Sequence, residues 1–436
     1  MTDRLQFDQI FAQGQKAHES GNIGEAEVCY IKLLEIAPGH PDILHLLGVL
    51  YGQTEHLEDA EKLIAEALKS LPEDPIYLFN YGNVLTKMKR WHDAATAFGQ
   101  AAKGAPDHVD IAFNLALTHK KLGNLEEAER FFRQVLSLDH NHAHSMTELA
   151  GLVEKKGARE EAIILQEKAN VLEPNIPDFQ LNLGVLKLKQ HQWDDAIALF
   201  EKALSLEKWH PQSIAIKAIA HFEKGEDSAA LNLVDPSTKL FVTDLPLPSD
   251  VDEKSLIKAL VNHPSCEWER SGTTTIEGAQ TENLLNDTNP LIKSFVSLLT
   301  AKIETYIQRQ DIDPNDPFLA KIPESWNYSI WATILKNDGH QIPHLHPSGW
   351  LSGVYYLEVP SDIMDKENSG QQGWIEFGAP GYGIEPVRPP NVRRIMPVPG
   401  KLIFFPSSFF HQTIPLSGKA QRISIAFDVL PTKWRS

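Results

Sequence analysis

Cysteine and long apolar runs are the features that this sequence most lacks. Its 436 residues include only Cys29 and Cys266, whose wide separation excludes a disulfide framework and a cysteine-based metal motif. No apolar stretch approaches the roughly 20 residues that a membrane-spanning helix needs. The first residues, MTDRLQFDQIFAQ, show no basic region followed by an apolar run, so we expect no secretory signal. These absences predict a cytoplasmic protein that is not attached to a membrane.

Positive charge is also scarce. The chain has 41 lysines and arginines against 58 aspartates and glutamates, which gives a formal net charge of -17. An acidic surface repels phosphate backbones and anionic lipids, so we expect neither nucleic acid nor a membrane as a partner. Hydrophobic residues make up 42% and charged residues 23%, as in soluble globular domains, and the length allows two or three of them.

A repeat of 34 residues runs through the first half of the chain. Alanine recurs at this spacing, with a small residue twelve positions before it and a larger residue four positions after it in most units. The alanines are Ala26, Ala60, Ala94, Ala128, Ala162, Ala196 and Ala230. The small residues are Gly14, Gly48, Gly82, Ala116, Ala150, Gly184 and Ala218. The larger residues are Tyr30, Ile64, Phe98, Phe132, Gln166 and Phe200.

This spacing predicts a pair of antiparallel helices in each unit. Small residues are needed where the two helices cross closely, and the larger residue fills the space beside them. Prolines close four of the units, at Pro38, Pro72, Pro106 and Pro174, where they interrupt no helix interior. Over residues 7–234 the pattern resembles the tetratricopeptide repeat. The resemblance implies a domain over residues 1–235, with six full units and a partial seventh unit that caps the array.

Stacked repeats curve into a superhelix whose concave groove usually binds a peptide or another protein. Asn80, Asn114 and Asn182 occupy the same repeat position in units three, four and six, and Glu148 replaces them in unit five. In tetratricopeptide proteins this position faces the groove, where an amide can bond an extended peptide backbone. The alternative is that asparagine is simply common at this position of the repeat.

The segment VDPSTKLFVTDLPLPSD after Leu233 is rich in proline, serine and aspartate, which predicts an end to the helical repeats. We expect a second domain over residues 236–436. Its pattern favours helices over residues 252–263 and 289–309, followed by short β-rich runs. These runs are YSIWATIL, WLSGVYYLEV, GWIEF, KLIFFP and QRISIAFDVL. The predicted class is therefore an α+β multidomain protein, in which an all-α superhelix precedes a helix-supported β-sandwich or barrel.

Three histidines and an arginine in this second half suggest a metal site. His344 and His346 lie two residues apart, so in an extended strand both side chains point to one face. His411 follows the apolar strand KLIFFP and could supply a third ligand from across the barrel. Arg422 and Ser424 also share one face, while the intervening isoleucines and a phenylalanine take the other face into the core. A guanidinium on an apolar strand needs an anionic partner, and its planar fork suits a carboxylate.

Residues 326–431 resemble the core of the 2-oxoglutarate/iron(II) oxygenase superfamily, which implies a double-stranded β-helix, or jelly roll, with supporting helices. The resemblance is closest to a bacterial oxygenase group with prolyl-hydroxylase-like features. It implies that His344, His346 and His411 bind Fe(II), and that Arg422 and Ser424 bind the distal carboxylate of 2-oxoglutarate. Tyr356, in the run VYYL, would bind the same carboxylate. The resemblance also implies O2 as a cosubstrate and ascorbate as a candidate stimulant.

The sequence departs from the family at one ligand position. The usual triad is two histidines and one carboxylate, and here His346 takes the place of the carboxylate. Glu376 or Asp338 could reach the metal instead, or His346 could face away and leave a site with two histidines and water. Three imidazoles would also suit zinc, nickel or copper. Arg422 could alternatively belong to a buried ion pair, for example with Asp428.

Three functions compete on this evidence. The first is a 2-oxoglutarate- and iron(II)-dependent dioxygenase that hydroxylates a peptide or protein recruited by the repeats. The second is an oxygenase of a small molecule, with the repeats used for assembly. The third is a non-catalytic metal-binding β-helix joined to a protein-interaction scaffold.

Overall fold

The structure is a computed structural model that describes residues 2–365, 370–416 and 421–435. The chain divides into two compact units, Met1–Glu173 and Pro174–Ser436. Among the described residues no helix combines the length and the apolar character that crossing a bilayer requires.

The first unit consists of paired helices at the predicted period. They are α1 Thr2–Glu19, α2 Ile23–Ile36, α3 Pro41–Gln53, α4 Leu57–Ser70, α5 Pro75–Lys87, α6 Trp91–Gly104, α7 Val109–Lys121, α8 Leu125–Leu138, α9 Ala143–Lys155 and α10 Arg159–Leu172. Pro41 and Pro75 stand at the starts of their helices, where the missing N–H costs no hydrogen bond. The side chain of Asp74 caps α5 by accepting hydrogen bonds from two backbone N–H groups.

Packing inside each helix pair agrees with the role predicted for the small residues. Ala60 and Ala94 are fully buried. A Cβ atom added at Gly82 would lie 2.6 Å from the ring of Phe98, and one added at Gly48 would lie 2.6 Å from Ile64. The larger residue of each unit therefore occupies the space that the small residue leaves open, sixteen positions earlier in the sequence.

The second unit begins with two more helix pairs and continues into the β-domain. The helix pairs are α11 Pro177–Leu188 with α12 Trp193–Leu206, and α13 Pro211–Lys224 with the short α14 Asp227–Leu233. Two further helices, α15 Glu253–Val261 and α16 Pro290–Gln308, confirm the helices predicted over residues 252–263 and 289–309. Asp252 and Asn289 cap them through their side chains.

The β-domain contains two antiparallel sheets in its described residues. The strands are β1 Phe241–Asp244, β2 Glu267–Trp268, β3 Thr275–Gln280, β4 Pro323–Gln341, β5 Leu351–Glu358, β6 Ile375–Phe377, β7 Arg393–Ile395, β8 Lys401–Pro406, β9 His411–Thr413 and β10 Arg422–Trp434. The larger sheet has the order β1-β8-β5-β10-β4-β3-β2, and the smaller has the order β7-β6-β9. This architecture confirms the predicted class, in which paired helical repeats precede an antiparallel β-domain with supporting helices.

The two faces of the larger sheet have different partners. Ile423, Ile425 and Phe427 of β10 face a core, as the sequence predicted, and that core also includes residues of α15 and α16. The inner face packs against the smaller sheet through a second core, in which Phe377 of β6 contacts Phe405 of β8 at a ring-centroid distance of 5.0 Å. Side chains of β10 that alternate with the outer ones point between the sheets.

The segment predicted only to interrupt the helices also contributes a strand. Residues of β1 pair antiparallel with β8, so that Phe241 lies opposite Phe404. Four residues between prolines give little local signal for a strand, and the partner lies more than 150 residues further along the chain. The pairing is therefore decided by the assembled sheet and not by the local sequence.

Candidate active site

Backbone hydrogen bonds bring the three candidate ligands together where the two sheets meet. His344 and His411 form an isolated β-bridge, in which each backbone N–H donates to the carbonyl of the other residue at 3.0 and 2.8 Å. The backbone N–H of His346 donates to the carbonyl of Ser407 at 3.1 Å. One ligand atom from each of the three rings lies within 4.8 Å of the others. The rings can therefore reach one ion.

Each of the three rings is oriented by an acceptor at its Nδ1 atom. The Nδ1 of His344 lies 2.7 Å from the carbonyl of Ile342, and that of His411 lies 3.0 Å from the carbonyl of Phe409. A carbonyl accepts only from an N–H, so these bonds place the proton on Nδ1 and leave the Nε2 lone pair free. The Nδ1 of His346 donates in the same way to the carboxylate of Asp428 at 2.8 Å.

The free Nε2 atoms face one another. The Nε2 atoms of His346 and His411 lie 3.3 Å apart, and their rings are stacked with centroids 5.1 Å apart. Two lone pairs at this distance repel unless a proton or a cation lies between them. The donor set therefore fits a metal ion held by imidazole nitrogens.

Burial favours the neutral form of two of these imidazoles, His344 and His411. Burial, together with a smaller effect of the neighbouring His346, lowers the pKa of His344 to about 4. Burial lowers the pKa of His411 well below its usual value, again with a contribution from the two other rings. Neutral imidazole is the form that binds a metal, because a protonated ring has no free lone pair.

The geometry favours three histidines over the alternatives considered for the ligand set. His346 points at His411 and not away from it. The carboxylate of Glu376 accepts hydrogen bonds from Arg394 at 2.5 Å and from Gln412 at 2.6 Å, so both of its oxygens are engaged elsewhere. Neither Glu376 nor Asp338 belongs to the group of potential ligands that the described residues form.

Arg422 is a buried cation without an anionic partner among the described residues. Its side chain is 2% exposed, and it donates to the carbonyl of Gly373 at 2.6 Å and to the hydroxyl of Thr413 at 3.2 Å. Its Nε atom is buried and has no hydrogen-bond partner in the part of the chain that the structure describes. Burial lowers the pKa of this guanidinium from its ordinary value. A charge in this position calls for an anionic ligand.

The ion pair of Arg422 with Asp428, considered from the sequence, is not formed. Asp428 lies six residues further along β10 and bonds instead to His346 and, through its other oxygen, to the hydroxyl of Ser352 at 2.6 Å. No lysine or arginine in the described part of the chain pairs with this carboxylate, which is 9% exposed. The inner face of β10 therefore presents one uncompensated cation and one uncompensated anion.

Tyr356 and Ser424 lie beside the buried arginine. The two residues are directly opposite each other in the pairing of β5 with β10, and both are buried. The Arg422 guanidinium lies 5.4 Å from the centroid of the Tyr356 ring. Burial raises the pKa of Tyr356 to about 12, against a smaller opposite effect of Arg422, so the phenol keeps its proton. Both hydroxyl-bearing residues thus share the inner face with the unpaired guanidinium.

Several residues near the site gave no clear signal in the sequence. Trp331 of β4 is half-buried, with its ring 5.8 Å from that of His346. Thr413 and Ser352 act through hydrogen bonds that depend on strand register. The alternation of YSIWATIL could have placed Trp331 on the inner face, but not beside a histidine. Trp350, four residues after His346, is fully buried and stacks on Phe318 at a ring-centroid distance of 4.4 Å.

The three groove asparagines are half-buried on helices α5, α7 and α11. The amide nitrogen of Asn80 lies 2.9 Å from Nε2 of His45. That of Asn114 donates to the amide oxygen of Asn83 at 3.2 Å. The amides of Asn80 and Asn114 are therefore already oriented by side chains of the repeats.

Comparison with protein families finds two matches in separate parts of the chain. Residues 329–428 match the family described as "Putative 2OG-Fe(II) oxygenase". Residues 17–78 and 85–165 match the tetratricopeptide repeat. The chain therefore contains tetratricopeptide repeats followed by a domain of this 2-oxoglutarate/iron(II) oxygenase family. A comparison with curated proteins finds no match.

Solved structures similar to this chain include several proteins at low identity. One is titled as a functional characterization of pilF from Pseudomonas aeruginosa, with 22% identity, 48% of this chain and 94% of that chain covered, and a TM-score of 0.44. A MamA structure has 20% identity, 38% and 92% coverage, and a TM-score of 0.35. YrrB, titled a TPR protein with an unusual peptide-binding site, has 18% identity, 43% and 97% coverage, and a TM-score of 0.38.

Proposed function

We propose that this protein is a 2-oxoglutarate- and iron(II)-dependent dioxygenase that hydroxylates a peptide or protein recruited by its repeats. The observation that supports this most directly is the pair of uncompensated charges on the inner face of β10. The unpaired guanidinium of Arg422 requires an anion, and the carboxylate of Asp428 faces a cluster of imidazoles that fits a cation. Fe(II) together with a dicarboxylate satisfies both requirements at once.

Each role falls on a residue whose environment suits it. His344, His346 and His411 would hold the iron through their free Nε2 atoms. Arg422 would bind the distal carboxylate of 2-oxoglutarate in a charge-assisted hydrogen bond, with Ser424 and Tyr356 beside it. When bound, the iron and the keto acid supply the oxidising chemistry, in which O2 is consumed and 2-oxoglutarate is converted to succinate and carbon dioxide.

The apolar residues around the histidines protect this chemistry from water. The ring of Phe405 lies 4.7 Å from that of His411, and the ring of Phe377, which contacts Phe405, lies 6.0 Å from it. Phe405 and Phe377 are buried. An apolar lining that excludes water would strengthen the electrostatic interactions between the metal, the cosubstrate and the charged side chains. It would also limit side reactions with solvent.

The repeats support a peptide or protein as the substrate. Tetratricopeptide arrays present a concave surface suited to an extended chain. Asn80 and Asn114 would contribute amide oxygens there, while their nitrogens are held by neighbouring side chains. A protein partner bound by the full-length chain should be lost when both asparagines become alanine, while release of succinate without the partner should be unchanged.

Cosubstrate binding gives the sharpest test of the reaction class. Full-length protein should release succinate from 2-oxoglutarate in the presence of Fe(II), ascorbate and air. Arg422→Ala removes one partner of a buried charge pair, so the KM for 2-oxoglutarate should rise by about 30-fold or more. Arg309→Ala, at the exposed end of α16, is the matched control and should leave the KM unchanged. Unaltered turnover by Arg422→Ala would show that the cosubstrate assignment is wrong.

A further inference from the structure

The three imidazoles carry no negative charge, although a buried carboxylate lies one hydrogen bond behind them. We propose that Asp428 is a positioning residue that supplies, through His346, the negative charge that residue 346 itself lacks. The inference rests on the metal site of the proposed function and names a residue that the ligand triad does not include.

The carboxylate of Asp428 has two hydrogen-bond donors, and one of them is a ring of the candidate metal site. Its Oδ2 atom accepts from Nδ1 of His346 at 2.8 Å, and its Oδ1 atom accepts from the Ser352 hydroxyl at 2.6 Å. A metal-bound imidazole is neutral, so with an ion on Nε2 of His346 neither donor would carry a charge, and no lysine or arginine in the described residues pairs with the carboxylate. A buried carboxylate with only neutral donors is costly unless a cation lies nearby. A divalent ion on the far nitrogen of His346 would be that cation.

The same network also fixes the backbone of the ligand. The hydroxyls of Ser352 and Ser407 lie 2.7 Å apart, and the carbonyl of Ser407 accepts the backbone N–H of His346 at 3.1 Å. Asp428 and His346 are therefore tied to each other by two routes, one through the ring and one through the serines. This arrangement leaves the His346 ring little freedom to turn away from His411.

A carboxylate behind a ligand histidine has two consequences for the metal. It fixes the proton on Nδ1, and it makes Nε2 more basic because the imidazole gains anionic character. The centre would then approach the charge of the usual two-histidine, one-carboxylate set, with the carboxylate displaced from the ligand position to residue 428. An aspartate at position 346 would add a second negative charge close to the first.

The charge can be removed without removing the hydrogen-bond acceptor. Asp428→Asn keeps the size of the side chain and an oxygen that can accept from Nδ1. We expect the apparent Kd for Co(II), measured by calorimetric titration of the full chain, to rise by about 10- to 100-fold. The absorption bands of the bound Co(II) should shift, because the basicity of one ligand changes. Glu376→Gln neutralises another buried carboxylate of the domain, whose partners are Arg394 and Gln412, and should leave both readouts unchanged.

A double-mutant cycle separates this role from simple support of the fold. In His346→Asp the ligand carries its own charge and the bond from Nδ1 to Asp428 is absent. Adding Asp428→Asn to His346→Asp should therefore weaken Co(II) binding much less than Asp428→Asn does in the wild type. Wild-type affinity in Asp428→Asn, equal losses in Glu376→Gln, or an equally large effect of Asp428→Asn in both backgrounds would each overturn the inference.

The outcomes also separate this inference from the proposed reaction. A wild-type chain that takes up no divalent cation removes the metal site and this inference with it. A chain that binds Co(II) with the expected dependence on Asp428, but releases no succinate with Fe(II), contradicts the proposed reaction and leaves the role of Asp428 in metal binding intact.

Discussion

His45 shows what burial does to a single titratable side chain in the repeats. It is 7% exposed, its ring stacks on that of Tyr77 at 4.1 Å, and Nε2 lies 2.9 Å from the amide nitrogen of Asn80. Burial lowers the pKa of His45 to about 4, against the smaller opposite effects of Asp74 and Asp42. The folded protein therefore keeps this ring neutral at a pH where an unfolded chain would protonate it.

This depressed pKa predicts a loss of stability in mild acid. Below the ordinary histidine pKa of about 6.5, His45 binds a proton in the unfolded chain. In the folded chain it binds that proton only when the pH falls to about 4. The contribution of His45 to stability is therefore complete above pH 6.5 and is lost as the pH falls towards 4, by up to ~3 kcal/mol. Urea unfolding followed by circular dichroism at pH 7 and pH 4.5 measures the loss.

His45→Gln removes the titrating group and should show a smaller loss of stability between the two pH values. His92→Gln, at an exposed position of α6, should lose as much as the wild type. Equal pH dependence in the wild type and in His45→Gln would contradict the origin assigned to the effect.

At the scale of elements, the helix pair α5–α6 depends on one close approach. Gly82 of α5 faces Phe98 of α6, and an added Cβ would lie 2.6, 2.7 and 2.8 Å from three atoms of its ring. Phe98 is 1% exposed, so its ring has little room to move. Gly99, in the same helix as Phe98, has no atom within 4 Å of an added Cβ.

These two glycines predict opposite effects of the same substitution. Gly82→Ala should destabilise the protein by ~1–3 kcal/mol, because the ring of Phe98 must shift within a packed core. Gly99→Ala should be neutral or stabilise by up to ~1 kcal/mol, since alanine is the better helix former and meets no neighbour. Thermal unfolding of both variants provides the measurement, and a destabilised Gly99→Ala with an unaffected Gly82→Ala would contradict the packing described.

Strand β10 is the element on which the candidate site depends most. Its outer face contributes Ile423, Ile425 and Phe427 to the core with the helices. Its inner face presents Arg422 at the first residue and Asp428 near the middle of the strand, opposite Ser352 of β5. One strand therefore holds both uncompensated charges, and the pairing with its neighbours on each side fixes their separation.

At the scale of the whole molecule, the last helix pairs belong to the same packed body as the metal ligands. Within residues 174–436, Leu345 and Phe410 are buried in one cluster with residues of α11, α12 and α13, such as Phe200. Leu345 lies between two candidate ligands in sequence, and Phe410 directly precedes the third. The proposed boundary at residues 235/236 thus separates two sequence patterns, while the packing continues across it.

This packing predicts that a core substitution outside the ligand set weakens metal binding. Leu345→Ala leaves a cavity behind the segment of His344 and His346, so the protein should lose ~2–4 kcal/mol of stability and several-fold of its Co(II) affinity. Leu152→Ala, at a similarly buried position of α9, should lose comparable stability without a change in affinity. Equal Co(II) affinity in the two variants would show that the packing around Leu345 does not contribute to metal binding.

The sequence by itself determined the features that depend on local spacing. The 34-residue period determined the helix pairs, because small and large residues must alternate where two neighbouring helices cross. Alternation along a strand determined that Arg422 and Ser424 share a face. The same alternation predicted that His344 and His346 point together, although the structure places His344 in an isolated β-bridge and His346 outside any strand. Two predicted helices and five predicted strand segments follow from the same local periodicities.

Only the tertiary structure decided which distant residues meet. The bond between His346 and Asp428 joins residues 82 positions apart, and the pairing of β1 with β8 joins segments still further apart. Burial of Trp350 against Phe318 likewise depends on the assembled core. Such contacts depend on strand register and on the exclusion of water by the whole domain, which no short stretch of sequence specifies.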